Sequence, residues 1–459
     1  MASTKLNRTF GSGGNRLKWT WSGWIKRSNL GSNQCIFSAY ENATNFTICS
    51  FESDDQLRFG DESSGNTNGR IISNMTFRDT SAWYHLVFVF DKNNATSGDK
   101  IKMYVNGERI TSFSDTGNVP SDTGQMNNSS LGRPHEIGCV NNSDFFDGSM
   151  SHIHFCDGYA YLPSDFGETD STTGEWKIKT SPTGINYGTT GAFILKDGNT
   201  VTDSSPNSNA WTVAGGTLTK TEDNPSNNFA TLNVLFKCQN QASSFSNGAT
   251  TGQSPNSQGC GGISTLAASS GKFYAEFKQS AESTTNEGAI GVCDTYYMNN
   301  NDNLGGSSNP GYIEYSVACF GLRDGSGGNF YSSNGSKVNN SSGQHGNWVN
   351  GDIIMVAMDL DNNRVYFGKN GQWQNTTSWN SATPNTYITL DSTGFEDSYH
   401  FIFGDSSSGN NVTWQANFGN GYFGTTQITS AGTNASNNGL FEYDVPTGYT
   451  ALSTKGLNL

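Results

Sequence analysis

The sequence predicts an all-β fold of two antiparallel β-sandwiches, and three observations carry that expectation. Only 33% of the 459 residues are hydrophobic and 14% charged, and Gly (55 residues) accompanies abundant Asn, Ser and Thr, so turn residues punctuate short apolar runs throughout. The 28 Phe, 18 Tyr and 10 Trp give those runs enough apolar volume for packed cores, which argues against disorder. One hairpin is also written twice, as "DKIKMYVNGERI" and "NNRVYFGKNGQW", with Asn106-Gly107 and Asn370-Gly371 supplying the positive φ angles of a type I′ turn. Each follows a longer apolar strand, "AWYHLVFVFD" or "GDIIMVAMDLD", and the chain is too long for one ordinary core, so two similar domains are expected.

The first domain is read over residues 1–166. Here "LKWTWSGWIKR", "CIFSAY", "FTICSF", "LRFG", "WYHLVFVFD", "KIKMYVNGERI", "HEIGCV" and "GSMSHIHFCDGYAYL" are strands separated by Gly/Asn/Ser/Asp clusters. Residues 167–224 hold a few aromatic anchors, Trp176, Phe193 and Trp211, without a dense core, and read as an ordered, irregular connector. Residues 225–459 resume the strands with "ATLNVLF", "GKFYAEFKQ", "GAIGVCD", "YIEYSVACFG", "GDIIMVAMDLD", "RVYFGKNGQW", "YHFIFGD" and "VTWQANFG". In "DIIMVAM" both alternating sets are apolar, Ile353, Met355 and Ala357 against Ile354, Val356 and Met358, so that strand is expected to be buried on both faces.

A net charge of −14 without a Lys/Arg run repels a phosphate backbone and an anionic membrane surface, so no nucleic acid partner is expected. No apolar stretch approaches the length of a membrane span, and the start lacks an apolar h-region, so neither membrane insertion nor an ordinary secretion signal is expected. Eight Cys occur singly with no Cys-x-x-Cys. Those in apolar runs read as buried thiols, with a disulfide such as Cys139 to Cys156 as the alternative.

From "GKFYAEF" through "GAIGVCD" and "WVNGDIIMVAMDLDNNRVYFGKNGQW" to "ANFG", the second domain resembles the SPRY family. The first, with "WYHLVFVFD", "KMYVNGERI" and "FFDGSMSHIHFCDGYAYLPSDFGE", resembles laminin-G-like, concanavalin-type jelly rolls. Both families are curved sandwiches that place such a hairpin after a central strand, which accounts for its repetition. The linking phrases "LPSDFGE…TGEW" and "SPNSNAWTV…NPSNNFATLN" make the whole chain similar to structural proteins of tailed bacteriophages from marine bacteria.

Candidate chemistry is sparse. A glucanase of the concanavalin type would need carboxylates sharing a strand face at Glu-x-Asp-x-x-Glu spacing, and "FESDDQLRF" offers Glu52 and Asp54 without the third. His152 and His154 share a strand face in "SHIHFCD", where a polar outer face is the plainer reading than a metal site. No Gly-x-Ser-x-Gly, His-Glu-x-x-His or phosphate-binding loop is present. The resemblance to laminin-G-like domains implies that Ca2+ could be held at the sandwich rim, with Asp144 and Asp147 in "NNSDFFDGS" as candidate ligands, although Asp before Gly is equally good turn chemistry. "DLDNNR" begins like a calcium loop, but Arg364 stands where glycine is required.

Aromatic residues in polar loop segments make the stronger case: Tyr296 and Tyr297, Phe330 and Tyr331, and Trp373, with Trp348 and Trp379 around the same hairpin. Aromatic faces beside Asn, Asp and Gln suit sugar rings, whereas SPRY modules use such loops for peptides. The expected function is a non-enzymatic phage virion surface protein, a head decoration or tail-associated adhesin. It would be assembled in the host cytoplasm, form a homo-oligomer on the particle, and bind other virion proteins or host surface glycans. The first domain and the arm "MASTKLNRTFGSGGN" are expected to attach, with the second facing the host. The alternatives are a secreted or surface glycan hydrolase and a peptide-binding SPRY adaptor.

Overall fold

Both expected hairpins form. In the computed structural model of the chain, Asn106 and Gly107 adopt φ of 47° and 87°, and Asn370 and Gly371 adopt 50° and 84°. Each asparagine is tied to the preceding central strand. The Asn106 N–H donates to the His85 carbonyl at 2.9 Å and Asn106 Oδ1 accepts from the His85 N–H at 2.8 Å. Asn370 makes the same pair of bonds with Ile353, both at 2.9 Å.

The structure describes residues 3–11, 13–63, 66–117, 133–196, 200–238, 241–255, 260–283, 288–295, 319–324, 329–333, 336–339, 348–376, 378–390, 398–405 and 411–458. The chain divides into two units, residues 1–220 with 224–226 and residues 221–223 with 227–459. The fold is all-β, with antiparallel sheets dominating both units.

In the first unit an eight-stranded sheet runs Phe113–Asp115, Asn66–Thr76, Gln56–Ser63, Asn45–Phe51, Gln34–Asn42, Pro134–Ile137, Lys5–Thr9 and Thr212–Gly215. A six-stranded sheet runs Ala192–Ile194, Gly148–Asp157, Lys18–Arg27, Tyr84–Asp91, Ile101–Val105 and Glu108–Arg109. Alternation puts Trp19 and Trp21 into the core with Phe37, Phe59, Phe88, Phe90 and Phe155. Gly23 is required beside them, because a Cβ there would lie 2.5 Å from the Trp21 ring.

Two expectations about the ends of this unit are corrected. The arm around Lys5–Thr9 is a strand between Pro134–Ile137 and Thr212–Gly215, and Leu6 and Phe10 enter the core. An arm with two apolar side chains and two open strand neighbours gains more by pairing at home than by remaining free. Residues 167–220, set apart in the sequence reading as a connector, fall within the first unit. Ala192–Ile194 extends the six-stranded sheet, and Trp211 packs in the core with its ring 6.5 Å from that of Phe10. Trp176 and Ile178 cover Trp24 and Trp83 on the outer face.

Beneath that cover lies His85, its ring stacked 4.9 Å from Trp24 and 5.9 Å from Trp176. The Trp176 indole N–H donates to His85 Nδ1 at 3.0 Å, so the imidazole proton sits on Nε2, 2.8 Å from Ser22 Oγ. Burial lowers the His85 pKa to about 3. Farther along the sheet, a register shift between Ser151 and His154 and a φ of 49° at His152 form a bulge. Both histidines are buried rather than on a polar outer face, His154 stacking on Phe193 at 3.9 Å and meeting the Tyr187 hydroxyl at 2.8 Å.

In the second unit the larger sheet runs Ser244–Ser246, Thr251–Gln253, Val412–Asn417, Lys272–Glu282, Ile353–Asp359, Arg364–Lys369, Gln372–Asn375 and Ser378–Ser381. Tyr387–Thr389 pairs with Arg364–Lys369, and Thr450–Ala451 pairs in parallel with Lys272–Glu282. The second sheet runs Cys260–Ile263, Tyr399–Asp405, Gly288–Asp294, Cys319–Arg323, Asn329–Ser333 and Ser336–Asn339. Ile353–Asp359 is buried along its whole length, as the double apolar alternation requires. Ile354, Val356 and Met358 enter the inter-sheet core, while Met355 and Ala357 pack outward against Phe441, Val445 and Tyr449 of the C-terminal segment.

That segment is held by Glu276, fully buried on the outer face. Its carboxylate accepts from the Tyr274 hydroxyl (2.9 Å), Asn417 Nδ2 (3.1 Å) and the backbone N–H groups of Glu442 (2.9 Å) and Tyr443 (2.8 Å). Burial pushes its pKa up to about 7 against the pull of these four donors.

Candidate functional site

The site assembles where Arg364–Lys369 changes neighbours, pairing along one part with Tyr387–Thr389 and along the other with Gln372–Asn375. Val365 and Phe367 point into the inter-sheet core, which puts Arg364 and Tyr366 on the opposite face. On the adjoining strand Ile388 is buried in the same core, so Tyr387 faces outward with them. Register makes Tyr366 and Tyr387 direct partners, and their rings meet 5.6 Å apart at 62°. The Arg364 guanidinium lies over the Tyr387 ring, 4.2 Å from its centre, and donates to the Tyr366 hydroxyl at 3.5 Å.

Tyr366 is 8% exposed and anchored among Trp373, Tyr449 and Phe441, whereas Tyr387 is 41% exposed. An open aromatic ring is thus fixed on strand backbone rather than on a loop. Across the sheet from Arg364, Asp359 is its register partner and Lys272 the partner of Asp359, with the Lys272 ammonium 5.9 Å from the Tyr449 ring centre, and Asp361 and Asn362 are exposed in the turn that leads into Arg364. Such a plate can stack on the apolar face of a ring-shaped ligand while the flanking groups bond its polar edge.

The residues expected from sequence reach different ends. Tyr296 and Tyr297 lie outside the described residues. Phe330 and Tyr331 lie in the strand Asn329–Ser333, not in a free loop. Trp373 is corrected from a contact residue to a core residue: it is 3% exposed, with its ring 6.2 Å from that of Tyr274. The turn before Trp373 looks like a surface loop, yet the C-terminal segment roofs that face of the sheet. Trp348 is buried too, its indole N–H donating to Gln279 Oε1 at 2.8 Å, and Trp379 is half-buried with Lys369 Nζ 5.9 Å from its ring centre. Arg364 and Tyr387 escaped the sequence reading as ligand contacts. The available signal was the alternation in "NTYITL", whose apolar Ile388 and Leu390 turn Tyr387 and Thr389 to the other face.

Glu52 and Asp54 do not alternate on a strand. They occupy the turn between Asn45–Phe51 and Gln56–Ser63, where Glu52 accepts from Ser50 Oγ at 3.0 Å and Asp54 from the Gln56 N–H at 3.2 Å. Ser22 beside His85 is not an activated nucleophile, because the imidazole presents a proton to Oγ rather than an acceptor. Asp144 is exposed, and Asp147 Oδ1 accepts from Ser28 Oγ at 2.9 Å while burial raises its pKa. Among the described residues no group of three His, Cys, Asp or Glu is placed to hold a metal. Cys139 and Cys156 are separate buried thiols, and the disulfide considered between them is not formed.

Two antiparallel sandwiches, each with a sheet outer face roofed by later chain, define an all-β protein of concanavalin-like architecture. Residues 7–160 match the family model of the Concanavalin A-like lectin/glucanases superfamily, laminin-G type. No curated protein matches the chain. Among solved structures, the chain is similar to the SPRY domain of human HERC1 at 16% identity, with 40% of this chain and 96% of that chain covered and a TM-score of 0.29. It is similar to domains LG4-5 of the mouse laminin alpha1 chain at 10% identity, with 90% and 85% covered and a TM-score of 0.28. A third is domain 4 of AbnA, a GH43 extracellular arabinanase from Geobacillus stearothermophilus in complex with arabinotriose, at 18% identity, 33% and 65% covered and a TM-score of 0.25.

Proposed function

We propose that this chain is a non-enzymatic binding protein on the surface of a tailed-bacteriophage particle, as a head decoration or tail-associated adhesin, and that it engages surface glycans through the Tyr387 plate. The observation that carries the reading is Tyr387, a residue 41% exposed whose ring is held by Tyr366 and Arg364 on strand backbone. A preorganised aromatic face is what a pyranose needs, since little ordering remains to be done on binding. The lectin/glucanase match of residues 7–160 supports carbohydrate recognition for the first unit, and the Tyr387 plate of the second unit is proposed on its own geometry. The particle setting, with other virion subunits as partners, rests on the resemblance of the linking phrases.

The test is direct binding of host surface polysaccharide to the full chain by calorimetry, with reducing-end release followed in parallel. Tyr387→Ala is expected to weaken binding about tenfold, the upper range for an aromatic contact, and reducing ends are expected to stay at background. Unchanged affinity in Tyr387→Ala would remove the plate from the reading, and turnover would replace binding by hydrolysis. Electron microscopy of particles, with the chain located on head or tail, tests the setting.

A further inference from the structure

We infer that the Tyr387 plate takes a carboxylate-bearing pyranose of the uronic acid class, with Arg364 as the residue that reads its charge. This rests on the glycan reading above and names the class of sugar.

The inference begins with a row of charges across the sheet. Lys272, Asp359 and Arg364 are successive register partners on three neighbouring strands, so one carboxylate stands between two cations. Asp359 is claimed from one side. Its Oδ2 accepts from Lys272 Nζ at 2.9 Å and from Asn362 Nδ2 at 2.9 Å, and its Oδ1 accepts from the Asn362 N–H at 3.2 Å. With 4% of Asp359 exposed and both oxygens engaged, Arg364 turns away to lie over the Tyr387 ring. Among the described residues no carboxylate lies within 4.0 Å of the Arg364 guanidinium, whose hydrogen bond to a side chain is the long one of 3.5 Å to the Tyr366 hydroxyl.

A guanidinium lying over an aromatic ring uses its π face for the ring and keeps its in-plane N–H donors for a partner at its edge. That edge fits a planar carboxylate in bidentate fashion, which is the strong form of charge-assisted hydrogen bond. The guanidinium carbon lies 4.2 Å from the centre of the Tyr387 ring, so the exposed part of the ring and the donor edge of Arg364 form one patch, small enough for ring contact and charge recognition to act on one residue of the glycan. The rest of the chain works the other way. A net charge of −14 opposes diffuse binding of a polyanion, so attraction of an acidic glycan has to be local.

The experiment measures affinity of the full chain for polygalacturonate and glucuronan oligosaccharides and for the same oligosaccharides after reduction of their carboxyl groups to neutral hydroxymethyls. The acidic forms are expected to bind at least tenfold more tightly. Arg364→Gln should bring them to the affinity of the neutral forms, Arg364→Lys should recover less than half of the lost preference in logarithmic terms, and Tyr387→Ala should weaken acidic and neutral forms alike. Unfolding curves identify any variant that fails to fold, and the paired wild-type measurements stand without it. Equal binding of acidic and neutral forms, still sensitive to Tyr387→Ala, overturns the uronate inference and leaves the glycan reading in place. Binding of neither form overturns both, and an acid preference untouched by Arg364→Gln overturns the role of Arg364.

Discussion

The two units solve one problem with opposite chemistry. Each must roof the outer face of a sheet with chain that follows its last long strand, Gly148–Asp157 in the first unit and Val412–Asn417 in the second. The first roof closes on a neutral imidazole held between Trp24 and Trp176. The second closes on the Glu276 carboxyl, which gathers two backbone N–H groups of the roof itself. Both roofs are tied by the same small knot. Ser205 N and Oγ bond the Asp203 carboxylate, the Asn207 N–H donates to Ser205 Oγ, and Asn207 Nδ2 donates to the Gly188 carbonyl. In the second unit Asn434, Ser436 and Asn438 repeat these roles, with Asn438 Nδ2 reaching Thr450 Oγ1 at 2.8 Å. The comparison teaches that an Asx-x-Ser-x-Asn phrase can fasten a roof regardless of what lies beneath it, since its bonds are local and need only the chain's own polar groups.

The difference beneath the roofs is sharpest in pH. A histidine whose pKa falls on folding contributes stability that is present above its unfolded value and lost as pH falls. His85 goes from 6.5 to about 3 and His135 from 6.5 to about 4, both by burial, and burial takes His154 well below its ordinary value. The first unit should therefore weaken between pH 6.5 and 4.5, by up to about 3 kcal/mol each for His85 and His135. Glu276 is raised from 4.5 to about 7, so its contribution is complete below pH 4.5 and is lost as pH rises to 7, a change of about 3 kcal/mol. His400, lowered by burial, opposes Glu276 within the second unit. Hydrogen exchange across pH 4.5 to 7 follows each unit separately, and Glu276→Gln should abolish the alkaline-side loss in the second unit while leaving the first unchanged. Identical pH profiles of the second unit in both proteins would end the claim that Glu276 titrates in this window.

Removing the anchors gives the next largest effects. Glu276→Ala leaves four buried donors without their acceptor and should destabilise the second unit by about 3–5 kcal/mol in urea unfolding. Trp176→Phe keeps a ring over His85 but deletes the N–H that Nδ1 accepts, so the first unit should lose about 1–2 kcal/mol. A larger loss for Trp176→Phe than for Glu276→Ala would invert the contrast between the roofs.

The smallest effects test what the units share. Glycine tolerates the same positive φ, so Asn106→Gly and Asn370→Gly isolate the side-chain bonds of the two hairpins and should each lose about 1 kcal/mol. Asn370 should be the more sensitive, because its Nδ2 also donates to Asp352 Oδ1 at 2.7 Å. If both variants unfold like the parent protein, the shared asparagine reflects turn geometry alone.

Much of this was legible in the residues. Period-two alternation in "LKWTWSGWIKR" assigns Trp19 and Trp21 to one face, Asn-Gly assigns the hairpins, and the double alternation of "DIIMVAM" calls for a cover on both sides. These are properties of a few adjacent residues and their allowed backbone angles, which the sequence determines by itself. What covers "DIIMVAM" was not legible, and neither was the burial of Trp373 that follows from it. The joining of Lys5–Thr9 to Thr212–Gly215 and of Tyr366 to Tyr387 depends on which distant strands lie side by side. Whether Asp359 pairs with Lys272 or with Arg364 is a competition between neighbours on either side, decided by geometry that no spacing encodes. The tertiary structure alone decides it, because hydrogen-bond partners across a sheet are selected by closure of the whole sandwich, whereas the alternation that makes each strand is settled within its own few residues.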